Sequence, residues 1–289
     1  MLSIDPKEVP TSKLHSYLLG AVGPRPIAFA STIDGEGNVN LSPFSFFNVY
    51  SSNPPIMIFS ANRRVRDNTT KHTLENVIET KEVVINVVNY DIVQQTSLSS
   101  TEYPKGVNEF EKTGLTMLKS DIVKPFRVGE SPVQFECRVN EVIALGEEGG
   151  AGNLIVCEVL KLHVSEAILD ENQHIDQFKI DLVSRMGGNW YSRANLGMFE
   201  VPKPLSVIGI GIDGIPSEIR CSKVLTGNDL GILGNVAALP SKEEVIIFSE
   251  SSNSIKELLK TDNKEEVHKK AQEMIANNDV LSAWKLLLA

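Results

Sequence analysis

Cysteine is scarce in this chain, and no arrangement of it carries chemistry. Cys137, Cys157 and Cys221 are odd in number, far apart and free of any Cys-x-x-Cys, so neither a disulfide framework nor a zinc site is signalled and the expected compartment is reducing. The five histidines, His15, His72, His163, His174 and His268, show no H-x-x-x-H or H-E-x-x-H spacing, which leaves a metal site without support. There is no G-x-S-x-G elbow and no set of nucleophile, base and orienting acid, so acyl transfer is set aside. No apolar run approaches the ~18 residues that span a membrane, and Met1 to Val9 is acidic and proline-bearing rather than basic and then apolar, which makes the cytoplasm the expected location. A net charge of -9 argues against nucleic acid or an anionic membrane surface as partner. The hydrophobic fraction of 42% with 22% charged residues over 289 positions fits a soluble globular protein with one sizeable core, or a core and a satellite.

What is present is concentrated in two blocks. The first is Pro24-Arg25-Pro26-Ile27-Ala28-Phe29-Ala30-Ser31-Thr32, an Asp34-Gly35 turn, and Asn40-Leu41-Ser42-Pro43-Phe44-Ser45-Phe46-Phe47. Pro43 donates no hydrogen bond, so the returning strand is expected to break there and leave backbone groups from Asn40 to Ser45 facing a ligand. An edge of backbone donors and acceptors beside small hydroxyls and an apolar wall suits a planar heterocycle. The second block is a strand ending at Ser60, then Asn62, a loop carrying Arg63, Arg64 and Arg66, and Lys71-His72-Thr73 at a helix start. Helix-start amides with Lys71, Thr73 and Ser60 as donors favour a phosphate. A solvated basic loop with Thr73 as a simple cap accounts for the same residues.

Periodicity places strands at Pro26–Ile33, Pro55–Ser60, Glu82–Val88, Val133–Leu145 and Asn153–Ala167, the last two as a long hairpin, with helices at Ser12–Leu19, Lys71–Glu79 and Asp91–Leu98. Short strands with sparse helices favour an antiparallel barrel over a doubly wound sheet. Beyond Pro204 the texture changes to one extended piece, Leu205–Ile212, and short helices at 216–222, 228–233, 252–260, 264–276 and 279–288. Val267, Ala271 and Ile275 form one apolar stripe, and Val280, Leu281, Trp284, Leu287 and Leu288 a second. Glu265 with Lys269 and Glu266 with Lys270 make i,i+4 pairs on the outer face. These stripes are expected to dock on the barrel or on a second subunit. Gly209, Gly211 and Gly214 spell G-x-G-x-x-G, but no second parallel strand follows, so an ordinary glycine-rich turn is expected.

Taken together, the blocks resemble the flavin reductase-like family of FMN-binding split barrels, which includes flavoredoxin. The resemblance rests on Arg25 to Ala28, Ser31-Thr32, Asp34, Asn40, Ser42 to Phe46, Pro54-Pro55, Ser60, Lys71-His72-Thr73 with Asn76, and Val83 to Asn86. It continues through Asn108-Glu109-Phe110, Gly114-Leu115-Thr116, Phe135-Glu136-Cys137 and Arg185 to Tyr191. His72 stands where the family usually has Asp. The resemblance implies a mainly β fold with some α structure: a six-stranded split barrel over residues 1–204, followed by a mostly helical C-terminal extension over 205–289. It implies FMN, bound near the interface of a homodimer. Asn40, Leu41, Ser42, Pro43, Phe44 and Ser45 then line the ring, Thr32 lies by the ring or ribityl chain, and Ser60, Asn62, Lys71 and Thr73 hold the phosphate. NADH or NADPH supplies hydride to the flavin, and electrons pass to free flavin, oxygen or a partner oxygenase. No protein residue is nominated as catalytic. A flavoredoxin-type electron carrier, or a flavin-binding module with little NAD(P)H turnover, remains the alternative.

Overall fold

The computed structural model describes residues 1–201, 208–261 and 263–289, and the chain divides into two compact units, Met1–Phe199 and Glu200–Ala289. The first opens with α1 (Thr11–Ala21) and then the strands β1 (Ala28–Ile33), β2 (Val39–Phe44), β3 (Phe47–Ser52) and β4 (Pro55–Ser60). Next come α2 (His72–Thr80), β5 (Glu82–Val87), α3 (Val93–Leu98) and α4 (Glu109–Thr113), followed by a short pair, β6 (Met117–Leu118) with β7 (Arg127–Val128). The long hairpin β8 (Val133–Ala144) and β9 (Asn153–Val164) follows, then a second short pair, β10 (Val183–Arg185) with β11 (Tyr191–Arg193). Seven strands form one antiparallel sheet in the order β2-β1-β5-β8-β9-β4-β3. This is one strand more than the six expected, because β3, which polar residues hide in the sequence, pairs with β4 along a bulged register.

Pro43 does not break its strand. β2 runs unbroken through it, with Phe29 opposite Pro43 and Ala28 opposite Phe44. The reason lies in strand parity. β2 is an edge strand, and its outward-facing amides include that of Leu41, which donates to Glu109 Oε2 at 2.9 Å rather than to β1. Pro43 lies two residues on, so its missing N–H also falls on the outward side and the ladder loses nothing.

β1 is buried along almost its whole length because both faces of the sheet are covered there. Ala28 and Ala30 join Phe44, Phe59, Ile85, Ile155 and Cys157 in one core, which Leu74 and Val77 of α2 also enter. Phe29 enters a second core with Leu41, Ile92, Phe110 and Val128. Arg25, 5% exposed, spans elements: its guanidinium donates to the carbonyls of Leu19 and Val22 at the end of α1 and to that of Met186 at 2.9 Å. A cation at a helix C-terminus satisfies orphan carbonyls and the dipole together.

Glu136, fully buried on β8, accepts the amides of Asp121, Ile122 and Val123 at 2.6 to 3.1 Å and faces His163 Nε2 at 2.6 Å. Burial pushes its carboxyl up, but these hydrogen bonds outweigh burial and hold it at about 2. Glu136 therefore stabilises the fold above the ordinary carboxylate range, and that contribution is lost as pH falls towards 2. Glu136→Gln, which leaves a bonded cluster of amides without its anion, should cost about 3 kcal/mol at neutral pH. Urea midpoints should also show the variant losing less stability between pH 5 and pH 2.5 than the parent.

The second unit contains α5 (Ser217–Arg220), α6 (Gly227–Leu233), α7 (Lys242–Ser249), α8 (Asn253–Lys260), α9 (Lys264–Ala276) and α10 (Val280–Leu287). Pro204 and the start of the extended piece at 205–212 lie outside the described residues. Within the remainder, Ile210 N–H donates to Val236 O and Gly211 N–H to Gly234 O. A Cβ at Gly209 would stand 2.5 Å from Gly234 O, so the glycines serve a close backbone approach in an ordinary turn. The helical stripes pack on one another: Ala271, Ile275, Ala283, Trp284 and Leu286 form one core with Ile219, Leu233 and Ile255. Leu281 is a correction, being 56% exposed while Leu286 is buried in its place. Lys270 pairs with Glu273 at 2.8 Å rather than with Glu266. Trp284 is 1% exposed and its Nε1 donates to Leu233 O at 3.0 Å. Trp284→Ala should destabilise this unit by about 3 to 5 kcal/mol, seen as a loss of helical ellipticity at a temperature where strand signal persists; one unshifted transition would place the core elsewhere.

Candidate functional site

Four buried polar side chains tie the start of α2 to the β1–β2 hairpin. Thr32 and Asn40 face each other across the ladder. Asn40 Nδ2 donates to Thr73 Oγ1 at 2.8 Å and approaches Thr32 Oγ1 at 3.4 Å, and Asn76 Nδ2 reaches Thr32 Oγ1 at 3.1 Å. The first helical turn is thereby fixed in place. Its N-cap residue is Lys71, extended in backbone and offering no side-chain cap, so amides of the first turn are left for another acceptor.

A cleft opens at this point. Asn40 and Ser42, on one face of β2, line it with Lys71 and Thr73; Arg64 and Glu109 close its sides, and the segment Ser99–Tyr103 forms the far wall. Lys71 is partly buried; burial and, secondarily, Arg64 push its ammonium down from the usual lysine range, while Glu102 counteracts. Among the described residues no hydrogen bond or ion pair holds the Lys71 ammonium. A neighbouring recess shares Asn40 and His72 and is bounded by Lys105 and Val107.

Of the residues expected at the site, Asn40, Ser42, Lys71 and Thr73 come together at the cleft, with Thr32 directly behind Asn40. Leu41 and Phe44 are core residues, 0% and 7% exposed. The Leu41 amide is taken by Glu109, so it is not free for a ligand. Pro43 and Ser45 are partly exposed, on β2 and just after it. Ser60 and Asn62 lie apart from the cleft lining: Ser60 Oγ donates to Asn62 Oδ1 at 2.8 Å, and Asn62 Nδ2 donates to Gly150 O at 3.3 Å in the β8–β9 turn. That turn touches the arginine loop, since Gly150 N–H donates to Arg63 O at 3.0 Å and a Cβ at Gly149 would stand 3.0 Å from Val65 O.

Sequence reasoning passed over Glu109 and the Ser99–Tyr103 wall. The signal for Glu109 is its helix start: Asn108 Oδ1 accepts Phe110 N–H at 3.0 Å and caps α4, a pattern that places the next residue on the first turn. No comparable signal exists for the wall, which is loop.

These elements coincide with a known domain. The flavin reductase like domain matches residues 21–179. The chain belongs to this family. A protein of Aquifex aeolicus (strain VF5) is 39% identical over 188 residues, covering 65% of this chain and 93% of its own length. The crystal structure of nitrilotriacetate monooxygenase component B from Bacillus cereus is 30% identical with a TM-score of 0.65, covering 70% of this chain and 98% of its own. A protein of Shewanella frigidimarina NCIMB 400, assigned as a flavin reductase with a split barrel domain, is 25% identical with a TM-score of 0.59, covering 70% of this chain and all of its own. The large antiparallel sheet of this chain is similar in fold to that split barrel domain. The match ends before α5.

In this flavin reductase-like chain, burial raises the Glu109 carboxyl above its usual range while the Leu41 amide pulls it down. A raised folded value means that Glu109 contributes its full share of stability below the ordinary carboxylate range and loses it as pH rises through the folded value. Glu109→Gln keeps an acceptor for Leu41 and removes the charge. The variant should gain urea stability relative to the parent at pH 8 and show little difference at pH 4; the reverse order would contradict the burial argument.

Proposed function

We propose that the protein is an FMN-binding, NAD(P)H-dependent flavin reductase. The observation that carries the reading is the Lys71 ammonium, unpaired in a partly buried cleft at the uncapped start of α2. Desolvating an ammonium without an acceptor costs free energy, and a phosphate beside the positive end of a helix recovers it. The residues therefore fit a phosphorylated cofactor. Lys71 and Thr73 hold its terminal phosphate, Asn40 and Ser42 border its polar side chain, and Ser60 and Asn62 remain candidates for contacts beyond the cleft. FMN, when bound, supplies the hydride and electron chemistry. The chain's own part is to bind, orient and exclude water; Asn40 fixes the helix start, and the wall at Ser99–Tyr103 limits solvent access.

The working unit in this reading is a homodimer in the cytoplasm. β3 is the other edge of the sheet, with Val49 59% and Tyr50 65% exposed, and a second copy gives that edge a partner. The likeness to component B of a monooxygenase supports a partner oxygenase as electron acceptor. No helix among the described residues is long and apolar enough to cross a membrane.

Lys71→Ala should weaken FMN by about 1.5 to 3 kcal/mol, ten- to a hundredfold, and leave riboflavin nearly unchanged. Titration of the apoprotein with both flavins measures this, and equal losses for the two would remove the phosphate from α2. Anaerobic mixing of the holoprotein with NADH and NADPH tests the reaction. Rapid bleaching of the flavin supports the reductase, whereas none within minutes supports a flavoredoxin-type electron carrier.

A further inference from the structure

One charged group at the cleft has no part in that reading. Glu102 stands on the far wall, and its carboxylate is clasped by the opposite loop, Arg64 Nε donating to Oε1 and Arg66 Nη2 to Oε2, each at 3.0 Å. Guanidinium groups hold carboxylate and phosphate oxygens by the same charge-assisted hydrogen bonds. Arg64 belongs to the cleft lining, with its side chain only 18% exposed, and its charge also acts on Lys71. The cationic end of the cleft thus already contains an anion of its own.

We infer that Glu102 is a specificity-determining residue, an intramolecular anion that competes with the ligand's phosphate for Arg64 and so sets how strongly phosphorylated flavin is preferred over unphosphorylated flavin. The inference rests on Lys71 as phosphate ligand. A phosphate seated at Lys71 brings up to two negative charges towards a guanidinium already shared with a carboxylate. Arg64 makes the stronger charge-assisted contact with the dianion, and Glu102 is left to Arg66, which Asp67 also holds at 3.1 Å. The Glu102 side chain is 46% exposed, so water screens its repulsion and the effect is a modest one. Riboflavin carries no phosphate and does not enter the competition.

The test titrates full-length apoprotein, the Glu102→Gln variant and the Lys71→Ala variant with FMN and with riboflavin, followed by quenching of flavin fluorescence. Glu102→Gln should bind FMN about two- to fivefold tighter at low salt, with riboflavin unchanged and the gain shrinking in 0.5 M NaCl. Inorganic phosphate alone should bind the variant apoprotein more tightly than it binds the parent apoprotein. Glu102→Ala, which removes the clasp entirely, should move the FMN-to-riboflavin ratio the same way. If Glu102 only fastens the two loops, its loss will weaken both flavins alike and the ratio will stay fixed or fall, which overturns the inference. Lys71→Ala separates the two ideas: intact FMN binding there means that the phosphate placement itself is wrong, whereas weakened binding with an unmoved Glu102→Gln ratio sinks the competition alone.

Discussion

The cleft exists because one amide side chain is shared between a strand and a helix. Asn40 reaches from edge strand β2 to Thr73 on the first turn of α2, and Thr32 and Asn76 complete a buried polar set between the same two elements. Each of these groups would be costly to bury alone, so the set is satisfied only when the helix start lies against the hairpin. Small residues beneath it, Ala28 and Ala30, allow Leu74 and Val77 to settle into the sheet core. The orientation of the α2 dipole, the exposure of its first amides and the position of Lys71 all follow from that docking.

Charge inside the first unit is handled by local donors rather than by ion pairs in the core. Glu136 is surrounded by three amides and a histidine and holds its proton weakly. Glu109, also buried but with fewer donors, is pushed the other way. The same side-chain type therefore serves as a rigid anchor for one loop and as a burden beside the cleft, and the difference is the number of N–H groups aimed at it. Arg25 follows the same logic with the opposite sign, since backbone carbonyls at the end of α1 receive its guanidinium. Its place in the Arg25 to Ala28 motif is explained by this helix anchoring.

Elements with strong periodicity were legible in the sequence. β4 and α9 occupy the expected residues, and β5, β8 and α2 differ by a residue at one or both ends. β3 was not legible because Asn48, Ser51 and Ser52 give an edge strand no alternation, and α7 was hidden by Ile246 and Ile247, which are exposed rather than buried. The reading of Pro43 as a break failed because composition does not reveal which way an edge amide points. At the cleft, Asn40, Ser42, Lys71 and Thr73 were recoverable from motif and helix-start chemistry. Glu102 and the rest of the Ser99–Tyr103 wall were not, because they arrive from a distant segment through tertiary packing alone, and Glu109 was legible only as a helix start after Asn108. The apolar stripes of α9 and α10 were visible, and they share one core with each other and the neighbouring helices.

The turn between β8 and β9 has a consequence for how this sequence can vary. Surface turns usually drift in length and composition without effect. Here Gly149 lies against the Val65 and Arg64 carbonyls, Gly150 donates to Arg63 O, and a side chain at Gly152 would press on Ser60 Oγ. The hairpin acts as a measuring rod from the middle of the sheet to the arginine loop. An inserted residue at its tip, far from any ligand, would shift the clasp on Glu102, so this turn should resist insertion and deletion as firmly as a core position does.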